Sequence, residues 1–320
     1  MPTLGELSSR WRRLREGLDT VVLGQEAVKE KALVCLLAGG HALLEGVPGT
    51  AKTLLALALA RLVGCRFKRI QFTPDLMPAD LLGTNIHNQK TQAFEFRPGP
   101  IFADLLLADE VNRTPPRTQS ALLEAMQERA ATVDGVRHEI SKVFLVLATQ
   151  NPVEFEGTYP LPEAQRDRFL MKIPIDYPAR EAEARIVAAY AEGRRLHEEG
   201  VAALEPVMSR EELAESRRAV RAGVRMEPGI QRYVLDVVTA TRRDESVQIG
   251  AGPRASLALL DCARARAALH DRDFATPDDV KALAEPVLTH RVTLTPEAEM
   301  EGTTLGDVLR RVFEGVEVPR

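Results

Sequence analysis

Residues 46–53 read GVPGTAKT and lie between an apolar run, HALLE, and a run of strong helix formers, LLALALARL. A strand, a glycine-containing loop and a helix in this order can bind an anion, because backbone N–H groups and the amino end of the helix converge on it. The lysine and threonine that close the run match a phosphate-binding loop of the Walker A type, GxxxxGK[ST]. This segment therefore predicts an α/β domain with a phosphate site.

One position departs from the Walker A pattern, since Ala51 stands where the second glycine is expected. Glycine is required only where φ is positive or where a Cβ would strike the phosphate. We expect Ala51 to have right-handed helical dihedrals at the point where the loop enters its helix, because alanine adopts these dihedrals without strain. On this interpretation the loop binds nucleotide despite the alanine.

The loop predicts three kinds of contact with a nucleotide. Lys52 would hold the β- and γ-phosphates, and Thr53 would bind Mg²⁺. The backbone cradle would be formed by Gly46, Val47, Pro48, Gly49, Thr50 and Ala51.

The first half of the chain alternates short apolar runs with helical patterns. The strand candidates are residues 41–46, 65–72, 103–110 and 142–151. Such runs, separated by helices, indicate a parallel sheet that is covered on both faces, with ligands at the carboxyl ends of its strands. The fold class is therefore α/β in this half.

Two insertions interrupt the alternation, at about residues 81–100 and 130–140. The second contains Asp134-Gly135 between valines, which predicts a type I′ β-hairpin. Such a hairpin is either a surface decoration or, close to a strand that ends at the nucleotide site, a moving contact element.

From about Tyr177 the sequence changes to successive helical patterns. Ser209 with Glu212 is a capping-box signature, and Thr276-Pro277 places a cap and an N1 proline before another helix. We expect residues 1–175 to form the α/β domain and residues 176–320 to form an all-α domain.

Polar side chains follow two of the predicted strands. Asp109 and Glu110 end one apolar run; an aspartate there can hold Mg²⁺ through water, and a glutamate beside it can polarise an attacking water. An acidic strand end at the surface is the alternative. Asn151 ends another predicted strand at the same edge of the sheet, where its amide could orient the same water, although alone it would be only a turn residue.

These residues carry a resemblance to a known family. The segments GVPGTAKT, FRPGPIFADLLLADEVNR (96–113), ATQNP, EGTYPLPEAQRDRF (156–169) and GPRASL (252–257) resemble the MoxR family of AAA+ ATPases over essentially the whole chain. The resemblance implies an AAA+ P-loop NTPase core followed by a helical lid, with ATP and Mg²⁺ as ligands. Alanine before the Walker lysine is a familiar variant in that family, which argues for a working loop.

The resemblance also implies roles for single residues. These are the Walker A pair Lys52 and Thr53, the Walker B pair Asp109 and Glu110, sensor 1 Asn151, the arginine finger Arg168 and sensor 2 Arg254. The segment Val22, Leu23, Gly24 and Gln25 resembles the part that packs near the adenine. The two insertions match the helix-2 insert and the pre-sensor-1 hairpin.

The chain departs from the family pattern at Arg166, where leucine is usual. Arg166 and Arg168 then compete for the finger role, and we favour Arg168 because its position matches the family. A finger arginine predicts an oligomer, since sensor 2 would already supply a positive charge from the same chain. A surface salt bridge is the alternative role for either Arg168 or Arg254.

The resemblance implies a homo-oligomeric ring, a hexamer, that remodels, matures or activates protein clients with a partner carrying a von Willebrand factor A domain. A nucleic-acid motor is the alternative. The formal net charge of −4 and the few basic residues at the insertion tips argue against specific DNA or RNA binding. A nucleotide switch without turnover is least favoured, because the catalytic set is complete.

Composition indicates the compartment. Cys35, Cys65 and Cys262 are far apart and form no CxxC pair, which is typical of a reduced, cytosolic protein. The longest apolar stretches are broken by glycines and are too short to cross a bilayer. We therefore expect a cytoplasmic protein that does not insert directly into the membrane.

Overall fold

A computed structural model describes residues 4–151 and 157–319 of the chain. Pro152 and Glu156, which belong to two of the quoted motifs, lie outside the described residues. The helices are α1 (Leu4–Val21), α2 (Glu26–Ala38), α3 (Lys52–Leu62), α4 (Pro78–Leu82), α5 (Pro116–Glu128), α6 (Glu163–Arg166), α7 (Arg180–Ala191), α8 (Arg210–Gly223), α9 (Pro228–Ala240), α10 (Pro253–Leu269), α11 (Pro277–Leu288), α12 (Pro296–Met300) and α13 (Leu305–Gly315). The strands are β1 (Ala42–Glu45), β2 (Phe67–Gln71), β3 (Gly83–Asn88), β4 (Ala93–Pro98), β5 (Leu105–Asp109), β6 (Ala130–Val133), β7 (Val136–Glu139), β8 (Leu145–Gln150), β9 (Met171–Pro174), β10 (Val247–Ile249) and β11 (Thr293–Leu294).

A five-stranded parallel sheet with the order β2-β5-β8-β1-β9 forms the centre of the first half. Four of its strands are those that the apolar runs predict, so the α/β fold is confirmed. The edge strand β9 is not among the predicted strands, because its four residues, MKIP, are too few to show a pattern. In register, Leu44 of β1 lies beside Thr149 of β8, and Gln71 of β2 lies beside Asp109 of β5.

Apolar side chains leave both faces of the sheet, as the near-continuous runs predict. On β5, Leu106 and Ala108 pack with α5 and Phe144, whereas Leu105 and Leu107 face α1, α2 and α3. The apolar core around Leu105 and Leu107 continues into α8–α13. It does so because α1 and α2 contact both the α/β elements and the helices α8 and α10. The N-terminal helices therefore join the two halves of the chain.

Both insertions are antiparallel hairpins. Strands β3 and β4 form the first, and β6 and β7 form the second, whose turn has φ 49° at Asp134 and φ 80° at Gly135. Two consecutive positive φ angles confirm the predicted type I′ turn. The hairpins also touch each other, because Phe96 stacks on His138 with ring centroids 3.8 Å apart.

The second half is mostly helical but not entirely so. The capping box of Ser209 and Glu212 is confirmed at the start of α8, and the Asp279 carboxylate accepts a hydrogen bond from the Thr276 N–H at the start of α11. The expectation of an all-α domain is wrong in one detail, because β10 and β11 pair in a short antiparallel ladder. Across the described ranges, no helix combines the length and apolarity needed to span a membrane. The domain boundary near residue 175 stays a prediction.

Candidate nucleotide-binding and catalytic site

A cleft of about 550 Å³ opens where β1, β5 and β8 end and α3 begins. It brings together most of the residues that the sequence predicts for the site. These are Gly46, Pro48, Gly49, Thr50, Ala51, Lys52, Thr53, Asp109, Glu110 and Asn151. Its position at the carboxyl ends of the strands is the one that the parallel sheet predicts.

The loop between β1 and α3 has the backbone of an anion cradle. Gly49 has φ 83°, and a Cβ on Gly46 would lie 2.2 Å from the carbonyl oxygen of Ile175, so neither position accommodates a larger residue without strain. The first turn of the 11-residue helix α3 points its backbone N–H groups into the cleft mouth, where an anion is favoured. This donor set fits a nucleotide phosphate.

Ala51 does not have the conformation that we expect from its helix propensity. Its dihedrals are φ 63° and ψ 20°, in the left-handed region, and the prediction of a right-handed helical Ala51 is therefore wrong. The helix begins one residue later, at Lys52, and the Ala51 carbonyl accepts the first helical hydrogen bond from Leu55 N–H. The backbone reverses at Ala51 to enter the helix, which explains why the Walker pattern has glycine there. For alanine this conformation costs roughly 1–2 kcal/mol.

Lys52 folds back over the loop. Its Nζ donates to the carbonyl oxygens of Gly46 and Val47, each at 2.7 Å, and lies 3.3 Å from Thr50 Oγ1. Burial lowers the pKa of Lys52, and the charges of Asp109 and Glu110 oppose this shift. The ammonium group is thus held in the cleft, on neutral oxygens that a phosphate can replace.

The side chain of Asp109 is almost fully buried at the end of β5, with both carboxylate oxygens engaged. Thr149 Oγ1 donates to Oδ1 at 3.1 Å, and Arg69 Nε donates to Oδ2 at 2.7 Å. The same Thr149 hydroxyl accepts a hydrogen bond from the Glu110 N–H at 2.8 Å. Thr149 therefore fixes the two acids relative to each other.

Glu110 follows Asp109 in a left-handed conformation, with φ 57° and ψ 50°. Its Oε2 accepts from Gln71 Nε2 at 2.6 Å and is ion-paired with Arg113 Nε at 2.9 Å. Non-glycine residues in this region of backbone space are concentrated at functional sites. The turn directs the carboxylate into the cleft instead of continuing the strand.

Asn151 lies immediately after β8, is buried and lines the cleft beside the acids. The segment Val22, Leu23 and Gly24, expected near the adenine, does not line it. That segment lies close by. Gln25 Nε2 donates to the Asp176 carbonyl at 2.6 Å, and the preceding residue, Ile175, lies against Gly46. Its role at the adenine stays a prediction.

The two arginines expected to contact phosphate lie outside the cleft. Arg168 borders a groove along α5 that includes Glu124 and Gln127. Arg254, in the first turn of α10, is 58% exposed and lies 3.5 Å from the Asp167 carboxylate. In this structure Arg254 therefore lies beside the DRF triplet and does not line the cleft, and its role as sensor 2 stays a prediction.

Arg166 and Asp167 directly precede Arg168 in the chain. The Arg166 guanidinium is 3.9 Å from Glu163, and its Nε is buried without a partner among the described residues. Asp167 is held by Arg291 Nε at 2.7 Å. The DRF triplet is thus anchored to the helical half through Asp167.

Several residues that line the cleft were missed. They are Leu54, Leu57, Arg69, Gln71, Thr149, Gln150 and His197. Arg69 and Gln71 could have been found, because they are two residues apart on a strand next to β5 and so share one face of that strand. His197 lies in a π-helical turn, Leu196–Gly200, and no pattern in the sequence marks it.

Comparisons with known proteins agree with this geometry. The family model described as "ATPase family associated with various cellular activities (AAA)" matches residues 41–171, and an AAA lid domain model matches residues 239–312. The chain is 47% identical to the uncharacterized protein YeaC of Bacillus subtilis, over 95% of this chain and 93% of that protein.

Two further relatives and one solved structure complete the comparison. Chaperone MoxR1 of Mycobacterium tuberculosis is 43% identical, over 94% of this chain and 80% of that protein, and protein MoxR of Methylorubrum extorquens is 32% identical, over 97% and 96%. The crystal structure of a candidate ATPase from Cytophaga hutchinsonii superposes with a TM-score of 0.91 at 37% identity, covering 99% of this chain and 97% of that one. The chain belongs to the MoxR family of AAA+ ATPases.

Proposed function

We propose that this protein hydrolyses ATP at the cleft within a homo-oligomeric ring, a hexamer, and uses the reaction to remodel, mature or activate protein clients. The observation that carries the proposal is the separation of charges. Lys52, Asp109 and Glu110 share one cleft, while Arg168 and Arg254 both lie outside it.

Within the cleft, each residue has one task. Lys52 leaves the loop carbonyls and binds the outer phosphates of ATP, and Thr53 and Asp109 would hold Mg²⁺. When bound, Mg²⁺ neutralises charge that develops on the phosphates. Glu110 accepts the proton of the attacking water, and Asn151 orients that water.

Of the two arginines outside the cleft, Arg168 suits the neighbouring subunit. Among the described residues, the Arg168 side chain has no ion pair or hydrogen bond, so it is free to contact an anion on another chain. Arg254 is more than half exposed, lies 3.5 Å from the Asp167 carboxylate, and remains the proposed sensor 2 of its own chain. An arginine supplied to the transferring phosphoryl group is worth about 10³-fold or more in rate. A ring supplies that arginine at every interface.

We also propose the client and the compartment. Phe94 on the first hairpin is 74% exposed and Val136 on the second is also exposed, and these apolar tips support contact with a protein client. The name of the mycobacterial relative, a chaperone, supports the same role. A von Willebrand factor A domain protein is the proposed partner. The three cysteines are free, which supports a cytoplasmic location.

Mixing two inactive variants tests the proposal. Arg168→Ala subunits keep a cleft but offer no finger, and Lys52→Ala subunits offer a finger but have no working cleft. In a random equimolar ring, about one quarter of the interfaces pair a good cleft with a good finger, so about one quarter of the wild-type ATPase rate should return.

Arg166→Ala is the matched control, because it removes the neighbouring arginine and should reduce the rate far less. Co-assembly of the two variants is verified by mass photometry before the ATPase assay. A mixture that co-assembles but gives only the sum of two inactive preparations would contradict the arrangement in trans.

A further inference from the structure

Both carboxylate oxygens of Asp109, which would help to hold Mg²⁺, already have side-chain partners. Arg69 Nε lies 2.7 Å from Asp109 Oδ2, and Thr149 Oγ1 donates to Oδ1. The Asp109 side chain is 9% exposed and the Arg69 side chain is 51% exposed, on the wall of the nucleotide cleft. The guanidinium is therefore a half-exposed cation on a buried carboxylate.

The strand β2 explains why this pairing occurs. It is the edge strand next to β5, with Gln71 beside Asp109 in register. Arg69 and Gln71 are two residues apart and so leave the same face of the strand. Arg69 reaches forward to Asp109, while Gln71 reaches Glu110 at 2.6 Å. One strand thus holds both acids of the cleft.

A second arginine–aspartate pair joins the same two strands at their other end. Arg66 Nε lies 3.3 Å from Asp104 Oδ2, and the Arg66 backbone N–H donates to that oxygen at 2.9 Å. Asp104 is fully buried, and Arg66 is as exposed as Arg69 or more. Neither residue lines the cleft. This pair is a structural counterpart without access to nucleotide.

We propose that Arg69 is a positioning residue that competes with Mg²⁺ for Asp109. Without metal, the guanidinium holds the carboxylate in place. Mg²⁺ held by Asp109 would place a second cation on the same carboxylate, and the repulsion between the two cations would weaken the Arg69–Asp109 ion pair. Metal binding is weaker than Asp109 and Thr53 alone would give, because it must weaken this ion pair. The inference rests on the proposed nucleotide site and adds a determinant of its metal affinity.

The test measures metal coupling instead of turnover. A fluorescent mant-labelled β,γ-imido ATP is titrated into the full chain in EDTA and in excess Mg²⁺, and the ratio of the two dissociation constants is the coupling factor. Arg69→Gln should raise this factor roughly threefold to fivefold above the wild-type value, the upper part of the range expected for a half-exposed ion pair. Arg66→Gln should leave it within about twofold of wild type, since that pair does not reach the cleft.

Two further variants keep the test decisive. Arg69→Met retains the aliphatic stem and serves as the neutral variant if Arg69→Gln does not fold. Arg69→Lys retains the competing charge, and its coupling factor should stay near the wild-type value. A coupling factor for the neutral variants that equals or falls below the wild-type factor would overturn the inference. A wild-type protein that binds the probe equally well in EDTA and in Mg²⁺ would instead overturn the proposed metal site itself.

Discussion

Seven non-glycine residues have a positive φ angle in the described chain, and six of them precede residue 151, whereas Asp271 is the one in the helical half. Two of the six, Ala51 and Glu110, line the cleft. In the helical half, by contrast, helices begin at conventional caps such as Ser209 and Thr304. The α/β half thus contains most of the unfavourable backbone, including two positions where phosphate and water must be approached closely, whereas these helices of the second half begin as local capping rules predict.

The polar contacts of the two halves differ in the same way. In the cleft, Lys52 and Asp109 are bound by groups that a ligand can replace. In the helical half, buried Asp279 accepts from Arg266 and Arg272 at 2.6–2.7 Å and from the Thr276 N–H, with nothing left to exchange. The contacts in the cleft can therefore be exchanged for a ligand, whereas the Asp279 network stabilises the fold.

The largest effect on stability should come from breaking the second network. Asp279→Ala removes the buried carboxylate that Arg266 and Arg272 share and leaves Arg266 with Glu30 alone, which should lower the free energy of unfolding by about 3–5 kcal/mol. Asp307→Ala is the control, because that carboxylate caps α13 at the surface and should cost about 1 kcal/mol. Urea unfolding followed by circular dichroism measures both. Equal losses for the two variants would show that the Asp279 network is not structural.

A smaller effect should be shared by both halves and should depend on pH. His41 is buried in the first half, where Nδ1 accepts from Val146 N–H and Nε2 lies 3.1 Å from the Met126 carbonyl oxygen. Burial lowers the pKa of His41 to about 4 and that of His290, in the second half, to about 3. As pH falls, both histidines therefore become protonated in the unfolded chain at a higher pH than in the folded protein. The free energy of unfolding is lost as pH falls from about 6.5 towards 4.

Between pH 7 and pH 5, each histidine should remove about 2 kcal/mol from the free energy of unfolding. The His41→Gln variant should lose that much less than wild type over the same interval, and His290→Gln should behave alike. Urea unfolding at the two pH values measures the difference. An unchanged pH dependence in His41→Gln would mean that folding does not lower the pKa of His41.

The smallest effect concerns the strained residue of the loop. Ala51→Gly should raise the free energy of unfolding by about 1 kcal/mol, because glycine relieves the left-handed strain, and ATP affinity should stay within a few fold. Ala184→Gly, in the exposed interior of α7, should lower it by about 1 kcal/mol. Thermal melts and nucleotide titrations separate the two. A hundredfold gain in ATP affinity for Ala51→Gly would reveal an impaired cradle.

The sequence predicts the parts of the site that depend on neighbouring residues. The phosphate loop, the acids at the end of β5 and the type I′ turn at Asp134 all follow from local patterns, and the structure contains each of them. Helix propensity gives the wrong conformation for Ala51, because the direction in which the chain enters α3 overrides the preference of a single residue.

Long-range placement accounts for the other differences. Whether Arg254 reaches its own cleft depends on how α10 packs against the DRF triplet, which no local pattern encodes. The contact of Arg69 with Asp109 depends on the order of strands in the sheet. Edge strand β9 is too short for a periodic pattern, and its place beside β1 is set by tertiary packing.

ATP binding and turnover by Glu110→Gln and Lys52→Ala test most directly whether the cleft is an ATPase site. Both variants are incubated with radiolabelled ATP, and the protein-bound nucleotide is recovered on filters and identified. Glu110→Gln should retain ATP unhydrolysed, because it lacks the group that accepts the proton of water. Lys52→Ala should retain almost none, because the charge on the outer phosphates is lost. If neither variant binds ATP, or if Glu110→Gln releases ADP at the wild-type rate, the assignment of Glu110 as the catalytic base is contradicted.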